Sequence, residues 1–253
     1  EWARRHVMRK IGLFYDKVWA YGPPDFYDPL TGLDVPPAVR AKMRFVGFLQ
    51  RRLQRNELPG HRPEGEYILV TTGGGGDGAE LIHDVIDAYQ QNPQLQHRAL
   101  IVLGPYMPAR KRNKLLKKGA KIPCIKIIEF DNRMEDLIAG AKAVVAMGGY
   151  NTYCEILSFD KPALIVPRVE PREEQLIRAR RAAELGLIEM LLPDEAKDSQ
   201  RFADALVALP DRPRPSQSNP HLRLEGLPHI SEIVAELLDR RASPHLSVIE
   251  GMS

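Results

Sequence analysis

Cysteine is scarce in this chain of 253 residues, which holds two, Cys124 and Cys154, thirty positions apart. So sparse a supply builds neither a disulfide framework nor a paired-cysteine zinc site, and it fits a reducing, cytoplasmic setting. Long apolar runs are missing too. None approaches the ~20 residues that span a bilayer, and the opening Glu1-Trp2-Ala3-Arg4-Arg5 lacks the apolar stretch of a signal peptide. That opening is also not a methionine, so the chain is expected to be a piece of something longer. Excess charge is small: 36 Lys+Arg against 33 Asp+Glu leave +3, too little to indicate a nucleic-acid partner. No Asp-x-Asp, His-Glu-x-x-His or Gly-x-Ser-x-Gly sequence occurs, and the seven histidines lack ligand spacing. Zinc-protease and serine-hydrolase readings therefore have no support, and no metal or cofactor is expected.

What is present has the composition of a folded globular protein, 43% hydrophobic and 27% charged. From residue 67 onward, short apolar runs alternate with helical patterns. The runs are Tyr67 to Thr72, Ala99 to Gly104, Ile125 to Phe130, Ala143 to Gly148, Ala163 to Arg168 and, more weakly, Leu187 to Leu192. They are nearly continuous and rich in β-branched residues, as strands buried on both faces of a parallel sheet should be. Between them, residues 79–91, 110–118, 134–140, 151–159 and 173–185 space their apolar side chains for helices. This rhythm predicts an α/β, Rossmann-like, doubly wound parallel sheet whose ligands sit at the carboxyl ends of the strands.

Residues 1–66 stand outside that rhythm. They carry a basic amphipathic start, two short strand-like runs (17–22 and 44–49) and a Pro/Asp-rich loop from Pro23 to Pro37. Two strands do not make a stable sheet alone. The expected division is therefore 1–66, the tail of an upstream domain ending in a linker over 54–65, and 67–253, the ligand-binding domain. Five prolines between Pro210 and Pro228 predict a mobile loop before a closing helix over 230–241.

Three segments could carry chemistry. Gly73-Gly74-Gly75-Gly76-Asp77-Gly78 joins the first strand to a helix start, where glycines admit close backbone approach and free amides favour an anion. It satisfies Gly-x-Gly-x-x-Gly, but the second strand ends Leu103-Gly104-Pro105 without the ribose-binding acid of a dinucleotide site. Ala79-Glu80 likewise replaces the Lys-Ser/Thr of a P-loop. Met147-Gly148-Gly149-Tyr150-Asn151-Thr152 repeats the strand, glycine turn and helix start, so two anion-ready ends suit a diphosphate. Glu155, one turn into that helix, can accept two hydrogen bonds from a pair of ribose hydroxyls, or can simply be an acid favoured by the helix dipole. In the third segment, Glu174 and Gln175 offer polar groups at the rim, or are solvated residues of a helix start. Separately, Arg110 to Lys121 packs seven cations into twelve residues with no acid. Such a run is either a solvated helix face or a contact for anionic head groups or phosphorylated ligands.

The stretch from Ile128 through Leu187, with Gly148-Gly149-Tyr150-Asn151-Thr152-Tyr153-Cys154-Glu155, Lys161-Pro162-Ala163, Pro167 and Gln175 in order, resembles the carboxyl-terminal, donor-binding domain of family 28 glycosyltransferases of the GT-B fold. With the first glycine loop, the resemblance runs from about Tyr67 to Leu192. It implies transfer of a hexosyl group from a nucleotide sugar, UDP-linked, through an oxocarbenium-like transition state whose leaving diphosphate is stabilised by backbone amides rather than a metal. Gly74, Gly75 and Gly76 would lie against the diphosphate, and Phe130 with the Asp131 backbone against the base. Gly149, Tyr150, Asn151 and Thr152 would form the phosphate and sugar turn. Glu155 would hold the ribose, and Glu174 with Gln175 the hexose. Tyr150, the Met147-Gly148 pair and Glu174 depart from the family pattern, which bears on the sugar more than on the nucleotide. The implied partners are the N-terminal half of the same protein, which would supply the acceptor site and catalytic base, a lipid-linked acceptor, and an anionic membrane surface at which the protein would be peripheral. A nucleotide-sugar hydrolase or epimerase, and a non-catalytic nucleotide-sugar-binding subunit, are the competing readings.

Overall fold

The computed structural model describes residues 2–53, 65–95 and 97–242. Residues up to Leu49 group with those from Arg223 onward, and Gln50–Leu222 form a second, larger unit. The chain is thus divided near 49 and again near 222, where the sequence had suggested a single cut at 66. The expected linker, apart from Gly65, lies outside the described residues.

In the smaller unit, helix α1 (Val7–Phe14) precedes strand β1 (Val18–Tyr21), and a short helix α2 (Pro37–Arg40) precedes β2 (Met43–Gly47). The two strands pair in parallel, with Val18 opposite Met43. A pair this small needs apolar cover. Val46 and Phe48 are fully buried, and Phe26 meets Phe48 edge-on at 5.0 Å between ring centres.

The larger unit runs β3 (Ile68–Thr71), α3 (Ala79–Gln91), β4 (Ala99–Val102), α4 (Ala109–Gly119), β5 (Ile125–Ile128), α5 (Met134–Gly140) and β6 (Ala143–Ala146). It continues with α6 (Tyr150–Ser158), β7 (Ala163–Ile165), α7 (Glu174–Glu184), β8 (Glu189–Met190), α8 (Pro193–Ala196), α9 (Ser199–Ala208) and α10 (Pro215–Ser218). Its six strands are all parallel, in the order β5-β4-β3-β6-β7-β8. Burial of β3, β4 and β6 on both faces explains why their sequences do not alternate. One core joins Ile68, Val70 and Ile101 to Ile82 and Ile86 of α3 and Phe202 and Leu206 of α9. Each such side chain contributes roughly 1.5–3 kcal/mol by leaving water. Deeper in the fold, the Tyr67 hydroxyl donates to the Leu137 carbonyl at 2.7 Å.

The proline-rich stretch is more ordered than expected. Pro215 opens α10, where a missing N–H costs nothing, and a last helix, α11 (Gly226–Ala242), starts ahead of the expected residue 230 with Pro228 in its first turn. This helix belongs to the smaller unit. The Gly226 amide donates to the Phe48 carbonyl at 3.0 Å, and a Cβ at Gly226 would lie 2.8 Å from that oxygen. Among the described residues no helix is long and apolar enough to cross a membrane.

Candidate functional site

Strands β3 and β6 are neighbours, yet the chain departs from them in opposite directions, to β4 and β5 on one side and to β7 and β8 on the other. Such a reversal opens a crevice at the carboxyl ends of the two strands. Both glycine turns sit there.

The first turn is fixed by main chain against main chain. Gly75 is buried with φ +82, and a Cβ on it would stand 2.2 Å from the Leu103 carbonyl oxygen. Gly104 answers with φ +89, and its Cβ would stand 2.4 Å from the Gly73 oxygen. The Tyr106 amide donates to the Gly74 carbonyl at 2.9 Å. The glycine at 75 is therefore explained by packing between the β3–α3 and β4–α4 turns. Gly76 faces open space, so it alone of this pair leaves room for a ligand. In the second turn Gly148 has φ +75 and a Cβ there would come 2.8 Å from the Ile165 side chain, while Gly149 before α6 is unobstructed. The first amides of α6 have no partner within the helix and carry its positive dipole end.

Two adjoining hollows result. The first, about 280 Å³, is lined by Gly74, Gly149, Tyr150, Asn151, Thr152 and Gln175, with Thr71 and Thr72 at the strand end. The second, about 480 Å³, takes in Gly76, Glu80, Asp84, Arg168, Glu170 and Lys197. Asp77 and Met147 line both. Of the twelve residues drawn from the sequence, six line the first hollow and Gly76 the second; Gly75, Phe130, Asp131, Glu155 and Glu174 line neither. Phe130 is half exposed beyond β5 on the edge of the sheet, and the buried Asp131 uses its side chain to accept from the Arg133 amide at 2.7 Å. Burial, and then the charge of Glu135, raise the Glu155 carboxyl above its usual pKa, with Arg51 opposing.

The charged framework of the site was not legible in the sequence. Arg178 donates to the Gly148 carbonyl at 2.8 Å and lies 5.5 Å from the centre of the Tyr150 ring. Burial lowers its guanidinium from the ordinary pKa, with Glu174 opposing. It lies three residues after Gln175 on α7, a helical spacing that could have marked it. Arg51 donates to Asn151 Oδ1 at 2.8 Å across a hundred residues of sequence, and nothing in the sequence signals that pairing. Arg168 reaches Asp77 of the first turn at 2.7 Å, its Nη2 lies 3.7 Å from Glu174, and its backbone amide donates to Gln175 Oε1 at 3.2 Å.

The cationic helix α4 is less free than its sequence implied. Arg112 pairs with Glu129 at 3.1 Å, and Lys118 pairs with Asp87 while lying 3.0 Å from His83 Nε2. Arg110, Lys111, Lys114, Lys117 and Lys121 remain exposed.

Residues 67–225 match the profile of the glycosyltransferase family 28 C-terminal domain. The chain belongs to that family. Among family 28 and related proteins it is similar to the UDP-N-acetylglucosamine--N-acetylmuramyl-(pentapeptide) pyrophosphoryl-undecaprenol N-acetylglucosamine transferase of Mannheimia succiniciproducens. That match is 31% identical over 93 residues, 37% of this chain and 25% of that protein. It is also similar to the spore coat polysaccharide biosynthesis protein SpsG of Bacillus subtilis, 33% identical over 134 residues, 51% of this chain and 38% of the other. The chain thus spans well under half the length of either curated relative. In fold it resembles the crystal structure of the glycotransferase of kitacinnamycin, with a TM-score of 0.64 at 18% identity over 90% of this chain and 55% of that one. The Rossmann-like sheet is that of the GT-B glycosyltransferases.

Proposed function

We propose that this chain binds the donor for glycosyl transfer from a nucleotide sugar, UDP-linked, with the diphosphate seated between the β3–α3 and β6–α6 turns. The observation that carries the reading is the convergence of two glycine turns on one hollow at the reversal of strand order. Unobstructed Gly149, the positive dipole end of α6 and the Arg178 guanidinium bonded to the Gly148 carbonyl all favour an anion there. The leaving diphosphate is held by amides and cations, and no metal is invoked. Gln175, already oriented by the Arg168 amide, faces the same hollow and is assigned to the sugar together with Glu174. Glu155 is assigned to the ribose and Phe130 with the Asp131 backbone to the base, positions that would continue the ligand from the hollow toward the β5 edge. No residue of this chain is assigned as the catalytic base.

The acceptor proposed is lipid-linked, and the exposed cations of α4 fit the anionic surface that would present it. Sedimentation with vesicles should then increase with anionic lipid content; indifference to lipid charge removes the membrane role. The donor reading is tested by calorimetric titration of the protein with UDP, TDP, GDP and ADP. Saturable binding of UDP, weakened when Thr152 and Asn151 are replaced by alanine, is expected. Absence of binding to all four overturns it.

A further inference from the structure

The first turn carries a single ionisable side chain, Asp77, and that carboxylate lines the hollow assigned to the diphosphate. An anion site with a carboxylate in its wall repels its own ligand unless the charge is cancelled. Arg168, brought over from the β7–α7 loop, lies against Asp77 at 2.7 Å, and its Nη2 also lies 3.7 Å from Glu174. Its place is set from its own side of the crevice, because its backbone amide donates to Gln175 Oε1. Arg168 itself lines the adjoining larger hollow rather than the one assigned to the diphosphate. Its guanidinium is thus held on the acid, from the side of the adjoining hollow.

We propose that Arg168 is a positioning residue of the donor site: it neutralises Asp77 so that the first glycine turn can face a diphosphate. The proposal rests on the donor reading given above. A helper of this kind leaves a signature that direct phosphate contact does not, since removing the acid should make the base dispensable.

The experiment is a cycle of UDP affinities for the intact chain and for Arg168→Ala, Arg168→Lys, Asp77→Asn and the double variant Asp77→Asn/Arg168→Ala, with circular dichroism confirming the fold of each. Arg168→Ala, which leaves Asp77 uncompensated, should weaken UDP by about tenfold or more, and Arg168→Lys, which keeps the charge, by no more than about threefold. Asp77→Asn should bind as tightly as the unsubstituted chain or more tightly. The double variant should recover to within about threefold of the unsubstituted chain. A double variant as weak as Arg168→Ala alone shows that the arginine serves the ligand directly and overturns the proposal, as does full affinity in Arg168→Ala. If the unsubstituted chain binds none of the nucleoside diphosphates, the donor reading falls and this inference with it, a result seen without any variant.

Discussion

Gly75 and Gly76 are adjacent in sequence but meet opposite constraints. At Gly75 a methyl group would meet the Leu103 carbonyl oxygen and the backbone already has a positive φ, so Gly75→Ala should cost about 3 kcal/mol or more in urea unfolding. At Gly76 nothing lies within 4 Å, and Gly76→Ala should change stability by less than about 0.5 kcal/mol. Equal losses at the two positions would contradict the packing described. Asp84 supplies a second test at this scale. Burial, then the neighbouring charges of Asp87 and Glu80, push its carboxyl up to about 6. A carboxyl raised in the folded state opposes folding once it ionises, so Asp84 contributes least unfavourably at low pH. Asp84→Asn should therefore stabilise the protein at pH 8. The advantage should shrink as pH falls through about 6 and vanish below the ordinary carboxyl value of 3.8. Melting temperatures of both proteins across that range decide it, and an advantage that grew toward acid would refute the sign.

At the scale of elements, α9 illustrates local control. Asp198 accepts from the amides of Gln200 and Arg201 at 3.0 and 3.1 Å, so Asp198→Ala should cost about 1 kcal/mol in chemical denaturation, while a surface change such as Gln200→Ala should cost less. Much of the element pattern was legible, because the strands are buried runs and α3 to α7 bury one face each. α9 went unread although it packs Phe202 and Leu206 into the same core as α3. It follows the short β8, so the strand-helix rhythm no longer announced it. The helices α8 and α10 were hidden for another reason: each opens on a proline, which reads as a breaker in sequence but suits a first helical turn. For the site, the glycine turns were legible since backbone conformation is written locally. The Asp77–Arg168, Asn151–Arg51 and Gly148–Arg178 contacts join residues 91, 100 and 30 positions apart; the strand order brings Arg168 and Arg178 to the site, and Arg51 comes from a segment outside the sheet.

For the molecule as a whole, both hollows are built from residues between Thr71 and Lys197, all within the larger unit, whereas α11 belongs to the unit holding β1 and β2. If the donor proposal holds, a chain ending at Leu222 should therefore bind UDP to within about threefold of the full chain, even as loss of α11 uncovers the carbonyl of Phe48 and the surroundings of Val46. Calorimetry on the shortened chain checks this; loss of binding would place part of the site beyond residue 222. The interlocked Gly75 and Gly104 carry a last consequence. Because the β3–α3 turn is keyed backbone to backbone against the β4–α4 turn, its course does not depend on the side chains around it, so under the proposed reading the residues that meet the sugar can vary while the seat for the diphosphate keeps its shape. Specificity can then drift while the anchor stays put.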